Sequence, residues 1–164
     1  MKKLVFVFLS AIVFIACKEN SKNVQSNSGT FTNSGSDVEL LKKLMKSYEK
    51  GDWDSYKSCF NDSAFSAYNQ WATDSNLVKV PIDSVVANHK KGRELLWDGL
   101  SVNQPIYEVI TDSLGNKYGH IWANVTAKSK KTGKNISVPV FGSYSIKNNK
   151  IDWEWGIFDT KNLE

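Results

Sequence analysis

The chain has 164 residues, 41% of them hydrophobic and 23% charged. That is near the size of one domain and excludes a disordered chain, a collagen-like repeat and a multi-domain enzyme. Its 21 Lys and Arg against 17 Asp and Glu leave a net charge of +4, too weak and too dispersed for a nucleic-acid binder, which needs clustered basic side chains to displace counterions. Two cysteines exclude a disulfide scaffold.

Lys2 and Lys3 precede an apolar run over residues 4–15 that only Ser10 interrupts. A spanning helix needs about 20 apolar residues, so this run is too short to stay in a membrane and fits the hydrophobic part of a secretory signal. The run ends Phe14-Ile15-Ala16-Cys17, which resembles the lipobox of bacterial lipoproteins, with Phe14 where Leu is usual. The resemblance implies a signal peptide over 1–16, cleavage before Cys17 and lipidation of that cysteine. Several acyl chains anchor stably, because each buried CH₂ contributes about 0.8 kcal/mol. Lys18, not Asp, follows the cysteine. This predicts the outer membrane of a Gram-negative cell, facing the periplasm, with surface export as the alternative that Lys18-Glu19 suggests. Residues 17–36 then form a lipidated tether. Val24 and Phe31 are its only large apolar side chains after Cys17, so it cannot bury enough surface to fold. As a flexible coil it spans ~25 Å on average.

The predicted folded unit is 37–164. Ser36-Asp37-Val38-Glu39 reads as a capping box. Val38, Leu41, Leu44, Met45 and Tyr48 follow at helical spacing, and Gly51 ends the helix. Asp52 caps a second, short helix with Trp53, Tyr56 and Phe60 on its buried face, closed by Asn61-Asp62-Ser63. Residues 65–71 read as extended, and 77–80 as a short strand. Asp83 caps a third helix that runs to about Trp97. The last third is β: strands are predicted over 106–111, 118–129, 136–146 and 151–158, with turns at Leu114-Gly115-Asn116, Lys131-Thr132-Gly133 and Asn148-Asn149. Connections this short make adjacent antiparallel strands.

Tyr48-Glu49-Lys50-Gly51-Asp52-Trp53, the hairpin Gly115-Asn116-Lys117-Tyr118-Gly119 and the closing strand Lys150-Ile151-Asp152-Trp153-Glu154-Trp155 ending in Asp159 resemble the nuclear transport factor 2-like (NTF2-like) superfamily, in its SnoaL-like branch. The resemblance covers most of 37–164. It implies an α+β, cone-shaped fold in which three N-terminal helices pack in a curved, mostly antiparallel sheet that leaves a pocket at its open end. Members include isomerases, dehydratases, hydrolases, cyclases and proteins with no catalysis, so the fold does not settle the function.

Strand alternation divides the sheet residues between two faces. With a two-residue turn at Asn148-Asn149, Ile121, Val125, Val138, Tyr144, Ile151, Trp153, Trp155 and Asp159 fall together on an apolar, pocket-lining face. His120, Trp122, Phe141, Glu154 and Phe158 fall on the other, and a bulge would shift part of this assignment. Trp122, Phe141 and Phe158 form the predicted homodimer surface, the sheet face through which family members often pair, unless a loop or the C-terminal tail covers it. Asp159 is the one carboxylate in phase with the apolar face. Burial favours its protonated form and suits an acid–base role, which the SnoaL-like resemblance also implies; its structural alternative is a strand-ending turn. Glu108 would join that face as a second carboxylate if the 112–117 loop keeps parity. His89 faces inward from the third helix beside Val85, Val86 and Leu96, as a proton shuttle or as a structural cavity-wall histidine. Tyr68, Trp71, Trp153 and Trp155 are the predicted ligand walls, with core filling as their alternative.

No phosphate loop, nucleophile elbow or Cys-x-x-Cys motif is present. The histidines give no metal-ligand spacing, so neither metal nor cofactor is expected. Cys59 reads as a buried, inert thiol. Three readings follow: an envelope-anchored module binding a small apolar or aromatic ligand, an acid–base isomerase, cyclase or hydrolase using Asp159 and His89, and a protein-binding subunit.

Overall fold

Val38, Leu41, Leu44 and Met45 form one stripe of a helix, and all four are buried in the computed structural model, which describes residues 28–68 and 79–158. A short strand β1 (Thr30–Thr32) leads into that helix, α1 (Ser36–Lys50). The N-cap is Gly35, at φ 99° and ψ 178°, and no side chain caps it. The capping box read at Ser36 is therefore displaced by a glycine whose backbone turns where other residues are strained. Glu39 pairs with Lys42 at 2.7 Å instead. At the other end Gly51 is left-handed, φ 70°, and its amide donates to the Tyr48 carbonyl at 3.1 Å; Arg93 Nη1 adds a second hydrogen bond to that carbonyl at 2.7 Å.

Asp52 caps α2 (Trp53–Lys57) by accepting from the Ser55 amide at 3.0 Å. The chain then enters β2 (Phe60–Tyr68), so Asn61-Asp62-Ser63 lies within a strand. A two-residue β3 (Val80–Pro81) precedes α3 (Ile82–Leu96). Pro81 is its N-cap, which places Asp83 in the first turn, where it pairs with Lys57 at 2.5 Å.

Four long strands follow: β4 (Trp97–Thr111), β5 (Lys117–Ser129), β6 (Asn135–Lys147) and β7 (Lys150–Phe158). Strand β4 starts nine residues before the predicted 106. Register shifts between Asp98 and Ser101 and between Asn103 and Ile106 interrupt its alternation, hiding the strand from a two-residue pattern. The β6–β7 turn has both Asn148 and Asn149 at positive φ, 53° and 57°, the conformation a two-residue hairpin requires.

The described strands form one seven-stranded sheet in the order β1-β4-β5-β6-β7-β2-β3. All pairings are antiparallel except β2 beside β7. The three helices cover one face. A methyl of Leu41 lies 2.8 Å from where a Cβ on Gly119 of β5 would stand, so a glycine there lets α1 sit directly on the sheet. Leu41, Leu44, Cys59, Ile121, Ile146 and Ile151 fill this end.

Candidate ligand-binding cavity

The sheet is not filled along its whole length. Ile121 of β5, Gly142 of β6 and Gly156 of β7 form one cross-strand row, and all three border a cavity of about 320 Å³. Two adjacent glycines remove the side chains that would otherwise occupy the floor. The Tyr144 phenol folds over one of them, its oxygen 2.5 Å from where a Gly142 Cβ would be. Val125, Ala127, Ile136, Val138 and Val140 supply apolar wall.

Polar groups gather at one part of this cavity. Glu154 is 3% exposed. Its cross-strand neighbour Ser66, fully buried on β2, donates to Glu154 Oε1. Tyr56 Oη donates to Oε2 at 3.3 Å. Tyr48, His89 and Tyr144 border the same space. Burial raises the Tyr144 phenol well above its usual value, and the Glu154 charge adds to that. Tyr48 is raised by the same two causes in the same order, against Arg93. Both therefore stay protonated as neutral hydrogen-bond groups. The His89 ring lies edge-on to Tyr48 at 5.1 Å and to Tyr56 at 6.0 Å, and parallel to Trp53 at 6.3 Å. The residue keeps some accessible surface, but this ring cluster withholds water from the imidazole, and burial pushes its pKa from 6.5 down to about 4. His89 is uncharged at neutral pH.

Neither a protein-family profile nor a curated protein matches this sequence. Solved structures do resemble the fold. A candidate polyketide cyclase from Xanthomonas campestris superposes with a TM-score of 0.63 at 9% identity, over 81% of this chain and all of that one. IdmH from Streptomyces antibioticus, another candidate polyketide cyclase, gives 0.62 at 9% identity over 77% and 94%. An NTF2-like protein from Burkholderia xenovorans gives 0.58 at 12% identity over 80% and 96%. The fold is NTF2-like. At these identities the likeness is one of architecture, and the chemistry rests on this chain's own residues.

Within the NTF2-like cone the predicted site residues separate. His89 borders the cavity, as its inward position on α3 implies. Asp159, Trp71 and Cys17 lie outside the described residues, as does the side chain of Tyr68. Trp153 and Trp155 are corrected: they stand on the outer face. Strand β7 pairs Ile151 with Ile146 but Trp153 with Ser145, so Asp152 is an extra residue that reverses the alternation. Asn61 of β2 donates to the Asp152 carboxylate and secures this bulge. Beyond it Glu154, Gly156 and Phe158 turn into the cone. Phe158 thus leaves the predicted dimer surface and lines the cavity.

Trp122 and Phe141 remain paired, ring centroids 4.3 Å apart, with Trp155 6.3 Å from Phe141. Phe141 also borders the cavity. Glu108 is corrected too: it pairs with His120 across β4 and β5, its Oε1 3.3 Å from His120 Nδ1 and 3.4 Å from Trp122 Nε1 on the outer face. Cys59 is fully buried, and burial raises its thiol, consistent with an inert group. Sequence reasoning missed Glu154, Ser66 and the glycine pair. Gly156 was the available signal, because a glycine inside a strand marks a bulge or a close approach.

Proposed function

We propose that this chain is a cell-envelope lipoprotein whose NTF2-like domain holds a small apolar or aromatic ligand in its cone. The carrying observation is the cavity of about 320 Å³, apolar along its walls and polar at Glu154, Tyr56 and Tyr144. Binding pockets have this combination of apolar area and a few convergent polar groups. Trp97 also borders the space, so ligand entry should change tryptophan fluorescence. Val138→Trp, placed on the cavity wall, should abolish that change while the variant still melts cooperatively. A variant that is folded and binds as before would sink the ligand reading.

The anchoring part of the proposal rests on the Cys17 lipobox and places the domain at the outer membrane, periplasmic by default. Mass spectrometry of the mature N-terminus should find an acylated Cys17, and Cys17→Ala should release the protein from membranes. An unmodified Cys17 overturns the anchor.

A second reading, an acid–base isomerase, cyclase or hydrolase, is favoured by the presence of a carboxylate, Glu154, and a neutral imidazole, His89, on one cavity. This reading keeps His89 and Asp159 from the sequence and adds Glu154 as a further group to test. His89→Gln and Asp159→Asn should each remove turnover of any substrate found, without removing its binding. Homodimerisation is also proposed, through the outer row Ile106, Trp122, Phe141 and Ile157, which pair across β4 to β7. Ile106 is 61% and Trp122 49% exposed. A second copy suits this surface because a two-fold contact lays the apolar row against itself, and Glu108 beside it is already held by His120 and Trp122.

A further inference from the structure

Two further spaces adjoin the cavity near the C-terminal ends of α1 and α3. The first, of about 70 Å³, shares Tyr48, His89, Trp97 and Leu100 with the cavity. The second is a surface groove of about 370 Å³ that shares Trp53, Arg93 and Trp97 with the first. The three spaces follow one another, and Trp97 lines them all. The groove is where apolar lining gives way to basic. Lys50, Lys90, Arg93 and Lys130 border it, together with Glu94 and Asp98. Lys130 is committed to the fold: it donates to the Glu94 carbonyl at 2.7 Å and pairs with Asp98 at 3.4 Å. Arg93 is committed only in part. Its Nη1 donates to the Tyr48 carbonyl, and its Nε lies 3.5 Å from where a Cβ on Gly51 would stand. The half-buried guanidinium is thereby held at the end of α1. Among the described residues no carboxylate forms an ion pair with Arg93, Lys50 or Lys90. A guanidinium carries five donors in a planar fork that matches the two oxygens of a carboxylate. One held in place without a carboxylate, beside two lysines and two indole rings, is complementary to an anionic head group.

We infer that the site takes amphipathic acids: an apolar body in the cone, and a carboxylate carried past Trp97 to Arg93, with Lys50 and Lys90 adding attraction at the rim. This deepens the ligand-binding reading and rests on it. It gives the ligand one charge and one orientation, with its head towards the ends of α1 and α3. Selectivity then comes from the Arg93 guanidinium in the groove, and the cavity behind Trp97 supplies apolar contact.

Octanoate, 1-octanol and octylamine share one chain and differ in head group, and so test it. Their binding to the wild-type protein is measured at neutral pH and low salt by calorimetry and tryptophan fluorescence. Octanoate should bind about tenfold tighter than octanol, and octylamine more weakly than octanol. The octanoate preference should shrink at high salt. Arg93→Gln should bring octanoate and octanol to within about threefold of each other. That change also removes a bond to the Tyr48 carbonyl, so the exposed pair Lys50→Gln with Lys90→Gln serves as a second variant and should lower the preference by about threefold. Octanol binding as tightly as octanoate, or octylamine binding tightest, overturns the inference alone and leaves the ligand cavity standing. An octanoate preference undiminished in folded Arg93→Gln overturns it as well, as does one undiminished in the double lysine variant should Arg93→Gln fail to fold. If none of the three binds, both readings fall.

Discussion

The two ends of the cone use glycine in opposite ways. At the closed end Gly119 gives its space to Leu41, whose methyl sits 2.8 Å from the absent Cβ, and Ile146 fills the remainder at 3.1 Å. At the open end Gly142 and Gly156 pair across β6 and β7; the atoms nearest a Gly142 Cβ belong to Tyr144, and about 320 Å³ is left. The same backbone device therefore makes a tight helix–sheet contact in one place and a hollow in the other. What differs is the partner. Helix α1 presents Leu41 at one end, whereas the other is roofed by aromatic rings held apart by their mutual packing, Tyr48 to Trp53 at 6.0 Å and Tyr56 to Phe60 at 5.3 Å.

This contrast can be broken most strongly at the closed end. Leu41→Ala removes a fully buried side chain and should cost about 2–5 kcal/mol in chemical denaturation. Val138→Ala, which borders space already empty, should cost distinctly less, because it opens little new cavity. Equal losses would mean that the open end is filled in solution.

The next effect is at His89. Unfolded, it takes up a proton near pH 6.5; folded, only near 4. Between these values the unfolded state binds more protons, so stability is full above pH 6.5 and declines as pH falls, levelling off towards 4. The wild type should lose up to ~3 kcal/mol across that window relative to His89→Gln, from 1.36 kcal/mol per pKa unit. Glu154 shares the cavity, so the difference between the two proteins is the informative quantity. Parallel pH curves would place His89 in a more solvated setting.

Gly142→Ala sharpens the comparison at the floor. Its Cβ would meet the Tyr144 hydroxyl at 2.5 Å, so the ring must move, at about 1–3 kcal/mol. Gly142→Ala with Tyr144→Phe should recover part of that loss. The smallest effect on the fold is expected outside the cone. Trp122→Ala should change stability of the isolated domain by about 0.5 kcal/mol or less, yet halve the mass seen by sedimentation if the outer face pairs two copies. An unchanged monomer mass in the wild type would remove the dimer proposal.

Strand β7 shows how far the sequence could be read. Its residues alternate cleanly, but in two acceptable phases: Ile151, Trp153, Trp155 and Ile157, or Asp152, Glu154, Gly156 and Phe158. Hydrophobicity favours the first for the interior, and the structure uses it only at Ile151. After the Asp152 bulge the second phase turns inward, bringing in a carboxylate and a glycine and sending two tryptophans out. The bulge is held by Asn61, 91 residues away in sequence, and no local pattern reports that contact. The first part of strand β2, residues 60–64, escaped for the same reason, while 65–68 was read as extended: its parallel pairing with β7 joins segments far apart in the chain.

Other features were local and legible. The α1 stripe, its Gly51 stop, the Asp52 cap and the Asn148-Asn149 turn depend on neighbouring residues and steric preference alone. Helix spacing was enough to turn His89 inward. From such signals the sequence by itself determined an α+β chain of three helices and a long antiparallel meander, and the resemblance to the NTF2-like superfamily. Only the tertiary structure decided which carboxylate enters the cone, which tryptophans leave it, and that two glycines meet across β6 and β7 to keep it hollow. Those outcomes depend on strand register, and a shift of one residue exchanges the two faces of a sheet.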